Sequence, residues 1–234
     1  MLRLRRLLPL LASVITGVFS TVWPASAGIV SGTIRAQGRP EVESADAGGA
    51  NYASRRYKFI ERVNYNELDG FVIYLDQPMP EPARTQRPRA RMVQRDGTFV
   101  PHVLPVAVGT AVEFPNEDAI FHNVFSMTES NPFDLGLFKR GEAARQIVFE
   151  RPGRVDLFCS IHTKMNSIVL VVPNAWFTVA DARGRWRLPE LPAGTYRVRA
   201  WHERMPGKVV EVIVPPEGEV RVDFVLGLGG LPKQ

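Results

Sequence analysis

Helical periodicity is almost absent from this chain. Short alternating or continuous runs of β-branched and aromatic residues recur instead, closed off by Gly, Pro, Asn and Asp. That is the pattern of strands joined by turns, so the chain is read as all-β. Strands are expected over 29–35, 70–75, 99–108, 111–114, 123–126, 145–149, 155–158, 167–172, 176–180, 186–188, 196–201, 208–214 and 219–226. Thirteen strands exceed one compact sandwich. The stretch 44–68 fits neither period and is read as a long loop, with one helical turn around 56–62. No repeat of 20 to 50 residues is visible, which argues against a solenoid or propeller.

The first 27 residues place Arg3, Arg5 and Arg6 ahead of an apolar stretch that closes on Ala25-Ser26-Ala27. This is the pattern of a secretory signal peptide, too short and too interrupted for a membrane span. Cleavage after Ala27 would leave 207 of the 234 residues, a chain exported to the periplasm and not membrane-spanning, with a retained, uncleaved anchor as the alternative. Removing three of the 29 basic residues leaves 26 against 24 acidic ones, so the basic balance is no nucleic-acid footprint. Arg84, Arg87, Arg89 and Arg91 cluster in the proline-containing stretch PMPEPARTQRPRARM and are read as part of a solvated linker.

A single cysteine, Cys159, cannot form an internal disulfide, and a free thiol in an oxidising compartment invites oxidation unless something occupies it. It opens the run C-S-I-H-T-K-M, with His162 three residues on and Met165 three beyond that. His122 stands earlier, in F-H-N-V-F-S. A thiolate, two imidazoles and a thioether are a soft donor set suited to copper in both oxidation states. Cys159 ends the strand GRVDLF, and NSIVLVV begins just after Met165, so three donors share one tight connection between strands. His102 and His202 lie outside both blocks and are read as structural, with His102 the nearer to an accessory role.

On these residues the chain resembles the cupredoxins, and within them the amicyanin-like and plastocyanin-like branch. The Cys-x-x-His-x-x-Met spacing is that of the amicyanin type, and VGTAVEFPNEDAIFHNVFS, FDLGLF and ERPGRVDLFCSIHTKM follow the family's order of ligand strands over residues 91–172. Ser160-Ile161 stands where amicyanins favour Thr-Pro. The resemblance implies a Greek-key β-sandwich holding one type 1 copper ion, with His122, Cys159 and His162 equatorial and Met165 axial. It also implies that Asn123 turns its backbone N–H toward the Cys159 sulfur and pins the ligand loop with its side chain.

Four protein donors leave no coordination position for substrate, so the implied role is carriage of single electrons and not catalysis. The implied partners are transient redox proteins, a c-type cytochrome or an amine dehydrogenase-like enzyme of methylamine utilization. Phe121 and Ile161 are candidates for an apolar patch around His162. The alternative role is copper storage or delivery. Four histidines in the whole chain cannot furnish the additional centres of a multicopper oxidase.

After Val172 the sequence WFTVADARGRWRLPELPAGTYRVRAWHE resembles a carboxypeptidase regulatory-like domain, a smaller Ig/transthyretin-like β-sandwich. That family's opening strands are missing there, whereas GIVSGTIRAQGRP and GFVIYL near the N-terminus supply them. The expected organisation is a signal peptide over 1–27 and a discontinuous outer sandwich from 28–80 and 174–234. The copper domain, 86–173, is then inserted between its two parts; the alternative is that the N-terminal strands are an extension of the cupredoxin itself.

Overall fold

A computed structural model of the chain describes residues 27–37, 69–80 and 88–227, and every regular element among them is a β-strand. The expected signal segment up to Ser26, the 44–68 loop with its helical turn, Arg84 and Arg87 lie outside the described residues. No helix among those described is long and apolar enough to cross a membrane.

The strands fall into two sets that pair only internally. The middle set comprises β3 (Arg89–Arg91), β4 (Val93–Arg95), β5 (Thr98–Val100), β6 (Val103–Ala107), β7 (Thr110–Phe114) and β8 (Phe125–Ser126). It continues through β9 (Phe133–Asp134), β10 (Arg145–Phe149), β11 (Gly153–Phe158) and β12 (Asn166–Val172). One sheet runs β10-β7-β3, a second runs β6-β12-β11-β8-β9, and β4-β5 form a hairpin. Their inward residues, among them Phe114, Phe149, Leu157 and Val169, close one core with Phe138 from the β9–β10 connection, and that core also takes in Cys159 and Met165. Alternation explains this directly, because side chains two apart on a strand share a face.

The terminal set joins the N-terminal and C-terminal portions of the described residues. It contains β1 (Ala27–Gln37) and β2 (Val72–Leu75), then β13 (Phe177–Val179), β14 (Arg185–Arg187), β15 (Leu191–Pro192) and β16 (Gly194–His202). β17 (Met205–Val214), β18 (Glu219–Arg221) and β19 (Phe224–Gly227) complete it. β1 pairs antiparallel with β14 and β15 and parallel with β18 and β19, while β2 lies between β13 and β16 in the order β13-β2-β16-β17. β1 passes so close to the β18–β19 connection that a Cβ on Gly32 would collide with the Val222 carbonyl, which is why glycine stands there.

β2 and β12 are buried on both faces. Ile73 and Leu75 enter the terminal core, while Val72 and Tyr74 meet Leu170 and Val172 in a seam between the sets. Val169 and Val171 of β12 enter the middle core. Two-sided burial is why both segments read as continuous apolar runs.

Several expected boundaries are corrected. The 99–108 strand is two strands, broken at Pro101 and His102, since proline has no N–H to continue a ladder. The 219–226 strand is likewise two, β18 and β19. Arg89 and Arg91 belong to a strand and not a linker: Ala90 packs on the middle core while both arginines point outward near Glu113, at 3.7 and 3.9 Å. Charge density and prolines hid that alternation. The short strands β4, β9 and β15 were not expected; each is two or three residues long, below the length at which alternation is readable.

Candidate metal centre

His122 sits just before β8 in a bridge to Phe138, with backbone hydrogen bonds exchanged both ways at 3.0 and 2.9 Å. It is fully buried. Cys159 follows the last residue of β11, and the chain turns back at once: Cys159 N–H donates to the Met165 carbonyl at 3.2 Å, and Met165 N–H to the His162 carbonyl at 2.9 Å. This closed turn buries Cys159 and Met165 and leaves His162 half-exposed.

Nδ1 of His122 and Nδ1 of His162 lie 3.0 Å apart, and the Cys159 sulfur lies 3.9 and 3.7 Å from them. The donor atoms of the three residues all fall within 4.8 Å of one another. Imidazole bonds of about 2.0–2.1 Å and a thiolate bond of about 2.3 Å, spread trigonally, place sulfur about 3.8 Å from each nitrogen. Both sulfur–nitrogen separations match that value, while the 3.0 Å between the nitrogens is shorter than the about 3.5 Å of an even trigonal spread, so the three residues fit a single metal ion with the two imidazoles drawn together.

The outer nitrogen of His122, Nε2, lies 2.8 Å from an Asp118 carboxylate oxygen. An ionised carboxylate only accepts, so Nε2 carries the proton and Nδ1 presents its lone pair to the centre. Asp118 is itself held: the backbone N–H groups of Asp96 and Gly97 donate to it at 2.8 and 3.0 Å. Those two residues form the tip of the β4–β5 hairpin, both with positive φ, 53° and 67°, the Asp-Gly turn that such a tip favours. Burial alone would raise the Asp118 carboxyl, but the Gly97 and Asp96 N–H groups and His122 outweigh it and hold it below the usual carboxylate range.

Two asparagines shape the loops. Asn116 accepts the Asp118 N–H at 2.8 Å and donates to the carbonyls of Ile120 and Phe138, curling 116–122 so that His122 turns inward. Asn123 accepts the Ser160 N–H at 2.6 Å and donates to Asp134 at 3.2 Å, tying the first histidine's segment to the cysteine's loop. Asn116 and Asp118 were missed in the sequence; the signal available was P-N-E-D, an Asx-turn composition directly ahead of F-H-N. The other histidines stand apart from this group. His102 meets Glu203 at 3.0 Å across the two sets, and His202 meets the Asp69 carbonyl at 3.0 Å.

Solved structures similar to part of this chain include cupredoxins and a copper-containing nitrite reductase. The purple cupredoxin from Nitrosopumilus maritimus is 26% identical over 35% of this chain and 98% of that one, with a TM-score of 0.32. A reduced amicyanin variant is 24% identical over 35% of this chain and 79% of that one, also at 0.32. The nitrite reductase from Thermus scotoductus is 30% identical over 42% of this chain, with a TM-score of 0.36, and the match spans only 26% of that enzyme. No protein-family model and no curated protein matches the chain.

Proposed function

We propose that this chain is an exported, periplasmic type 1 copper protein that carries single electrons between redox proteins. His122, Cys159 and His162 would hold the ion, with the Met165 thioether as a weaker sulfur donor. The observation carrying this reading is the convergence of one thiolate and two imidazoles at 3.7 and 3.9 Å, on a turn whose backbone is closed by its own hydrogen bonds. A bound copper ion supplies a one-electron couple between Cu(I) and Cu(II). The chain's part is to hold its donors still: the Asp118 carboxylate orients His122, and Asn123 fixes the Cys159 loop. Three protein donors with a fourth sulfur leave no position for substrate, so the centre is not catalytic.

Exchange with partners runs through His162, the half-exposed donor. Phe121 at 45% and Ile161 at 50% exposure flank the two histidines in sequence and form an apolar rim. A c-type cytochrome or an amine dehydrogenase-like enzyme would dock there. The same reading treats 86–173 as the copper domain, inserted into an outer sandwich built from 28–80 and 174–234.

Burial of His122 and Cys159 favours a carrier over storage or delivery, which need exchangeable ligands. Protein-film voltammetry on the copper-loaded protein separates the two roles. A reversible one-electron couple, with the metal retained in both states, is expected; loss of copper on each reduction would mark a delivery protein.

A further inference from the structure

The Cys159 loop leaves its sheet where the ladder beside it is one residue wide. β11 pairs with β8 at a single position, Phe158 with Phe125, and Phe125 pairs on its other side with Asp134 of β9. Phe158, Phe125 and Asp134 thus form one row across three strands, with the two rings 5.9 Å apart. Two residues further along, a side chain takes over from the backbone: Asn123 Oδ1 accepts the Ser160 N–H, directly after Cys159, at 2.6 Å. Ser160 is exposed and Asn123 is buried, so this bond ties the loop to the His122 segment.

An asparagine amide can serve this bond in only one of its two orientations. With its oxygen toward Ser160 it accepts; turned over, it would set its NH₂ against the Ser160 N–H, donor facing donor. Asp134 decides between the two. Its Oδ1 accepts the Gly136 N–H at 2.8 Å and lies 3.2 Å from Asn123 Nδ2. An ionised carboxylate only accepts, so it takes the NH₂ and repels the amide oxygen. Gly136, at a φ of 69° that favours glycine, aims the N–H that fixes Asp134 in turn. A turned-over Asn123 would lose both bonds and bring like poles together at each end.

We propose that Asp134 is a positioning residue for the metal centre: from an exposed place on β9 it fixes the Asn123 amide, and through it the Ser160 N–H and the Cys159 loop. Both bonds to it use the single oxygen Oδ1, so the geometry needs one carbonyl-type oxygen and not the negative charge. That separates two replacements, since Asp134→Asn keeps such an oxygen and Asp134→Ala keeps none. Groups that orient a metal's ligands commonly change its affinity by about 10–100-fold when they are removed. The bearing on copper rests on the function proposed above; the bearing on the loop does not.

Amide hydrogen exchange of the whole ¹⁵N-labelled chain, prepared without added metal and read by nuclear magnetic resonance, tests the proposal. Asp134→Ala is expected to speed exchange at Ser160 about tenfold and to shift the Asn123 side-chain amide signals, while Leu157 and Val169 in the core exchange as in the parent. Asp134→Asn is expected to stay within about twofold of the parent at Ser160. In copper-loaded protein, transfer of copper to the chelator bicinchoninate is expected to be about tenfold faster in Asp134→Ala and unchanged in Asp134→Asn. If the chain takes up no copper, the function proposed above fails, while exchange at Ser160 still decides the role of Asp134. The proposal is overturned if Asp134→Ala exchanges at Ser160 as the parent does, or if Asp134→Asn is as fast as Asp134→Ala. It is equally overturned if Leu157 and Val169 accelerate by the same factor as Ser160, which would mark a general loss of stability.

Discussion

At Met165 the backbone and the side chain have different tasks. The backbone closes the turn by bonding to both Cys159 and His162, whereas the side chain is buried in the core that holds Cys159. Exchanging Met for Leu conserves volume and costs less than about 1.5 kcal/mol of stability, so the turn survives. A thioether favours Cu(II) weakly, and its removal destabilises Cu(II) more than Cu(I). Met165→Leu is therefore expected to keep copper while raising the reduction potential by about 60 mV or more, the shift of a tenfold change in the ratio of binding constants. Equilibrium redox titration checks this, and complete loss of copper in the variant would show that Met165 is a primary ligand. The grouping of His122, Cys159 and His162 was legible in the sequence because Cys and His are few and Cys159 and His162 share one short loop. Asn116 and Asp118 were not, because their roles depend on the curl of one loop and on the tip of the β4–β5 hairpin, 21 and 22 residues away from Asp118 in the chain.

At the scale of single elements, legibility followed the number of buried faces. β2, β12 and β16 are apolar or alternating runs and were visible, whereas β9 and β15 owe their pairing to partners already in place. The β16–β17 hairpin carries a titratable group at its turn. His202 is 3% exposed, takes the Arg204 N–H on Nδ1 at 3.1 Å, and donates from Nε2 to the Asp69 carbonyl at 3.0 Å. Burial lowers its pKa below the ordinary 6.5; Arg204 acts the same way, against the Asp69 bond and Glu203. The unfolded chain takes up a proton near pH 6.5, while the folded chain resists until lower pH. The contribution of neutral His202 is thus fully present above about pH 6.5 and is lost as pH falls from there toward the folded value, by at most about 1.4 kcal/mol per unit. Denaturant midpoints from pH 8 down to 5 are expected to fall in the parent, and His202→Gln is expected to lack that component of the slope. Identical pH dependence in the two proteins would contradict this account.

Across the whole molecule, the described strands before β3 and after β12 form one body. β1 and β2 lie inside their sheets, and Val30, Ile34, Phe71, Ile73 and Leu75 enter the terminal core. Burying five such side chains stabilises by about 8–15 kcal/mol at about 1.5–3 kcal/mol each, as much as a typical domain's entire stability. Residues 174–234 alone are therefore expected to show no cooperative thermal transition. Residues 28–78 joined to 174–234 by a short Gly-Ser linker are expected to regain one, because closure entropy changes slowly with loop length. Cooperative melting of 174–234 by itself would contradict the proposed insertion of 86–173. The pairing of distant ends was only partly legible, since pairing partners are not encoded in the pattern of either strand alone. The central claim concerns the metal, and titration of the purified protein with Cu(II), followed by visible absorption, tests it most directly. One equivalent is expected to produce an intense charge-transfer colour that Cys159→Ser abolishes; stoichiometric binding without colour would contradict the type 1 centre.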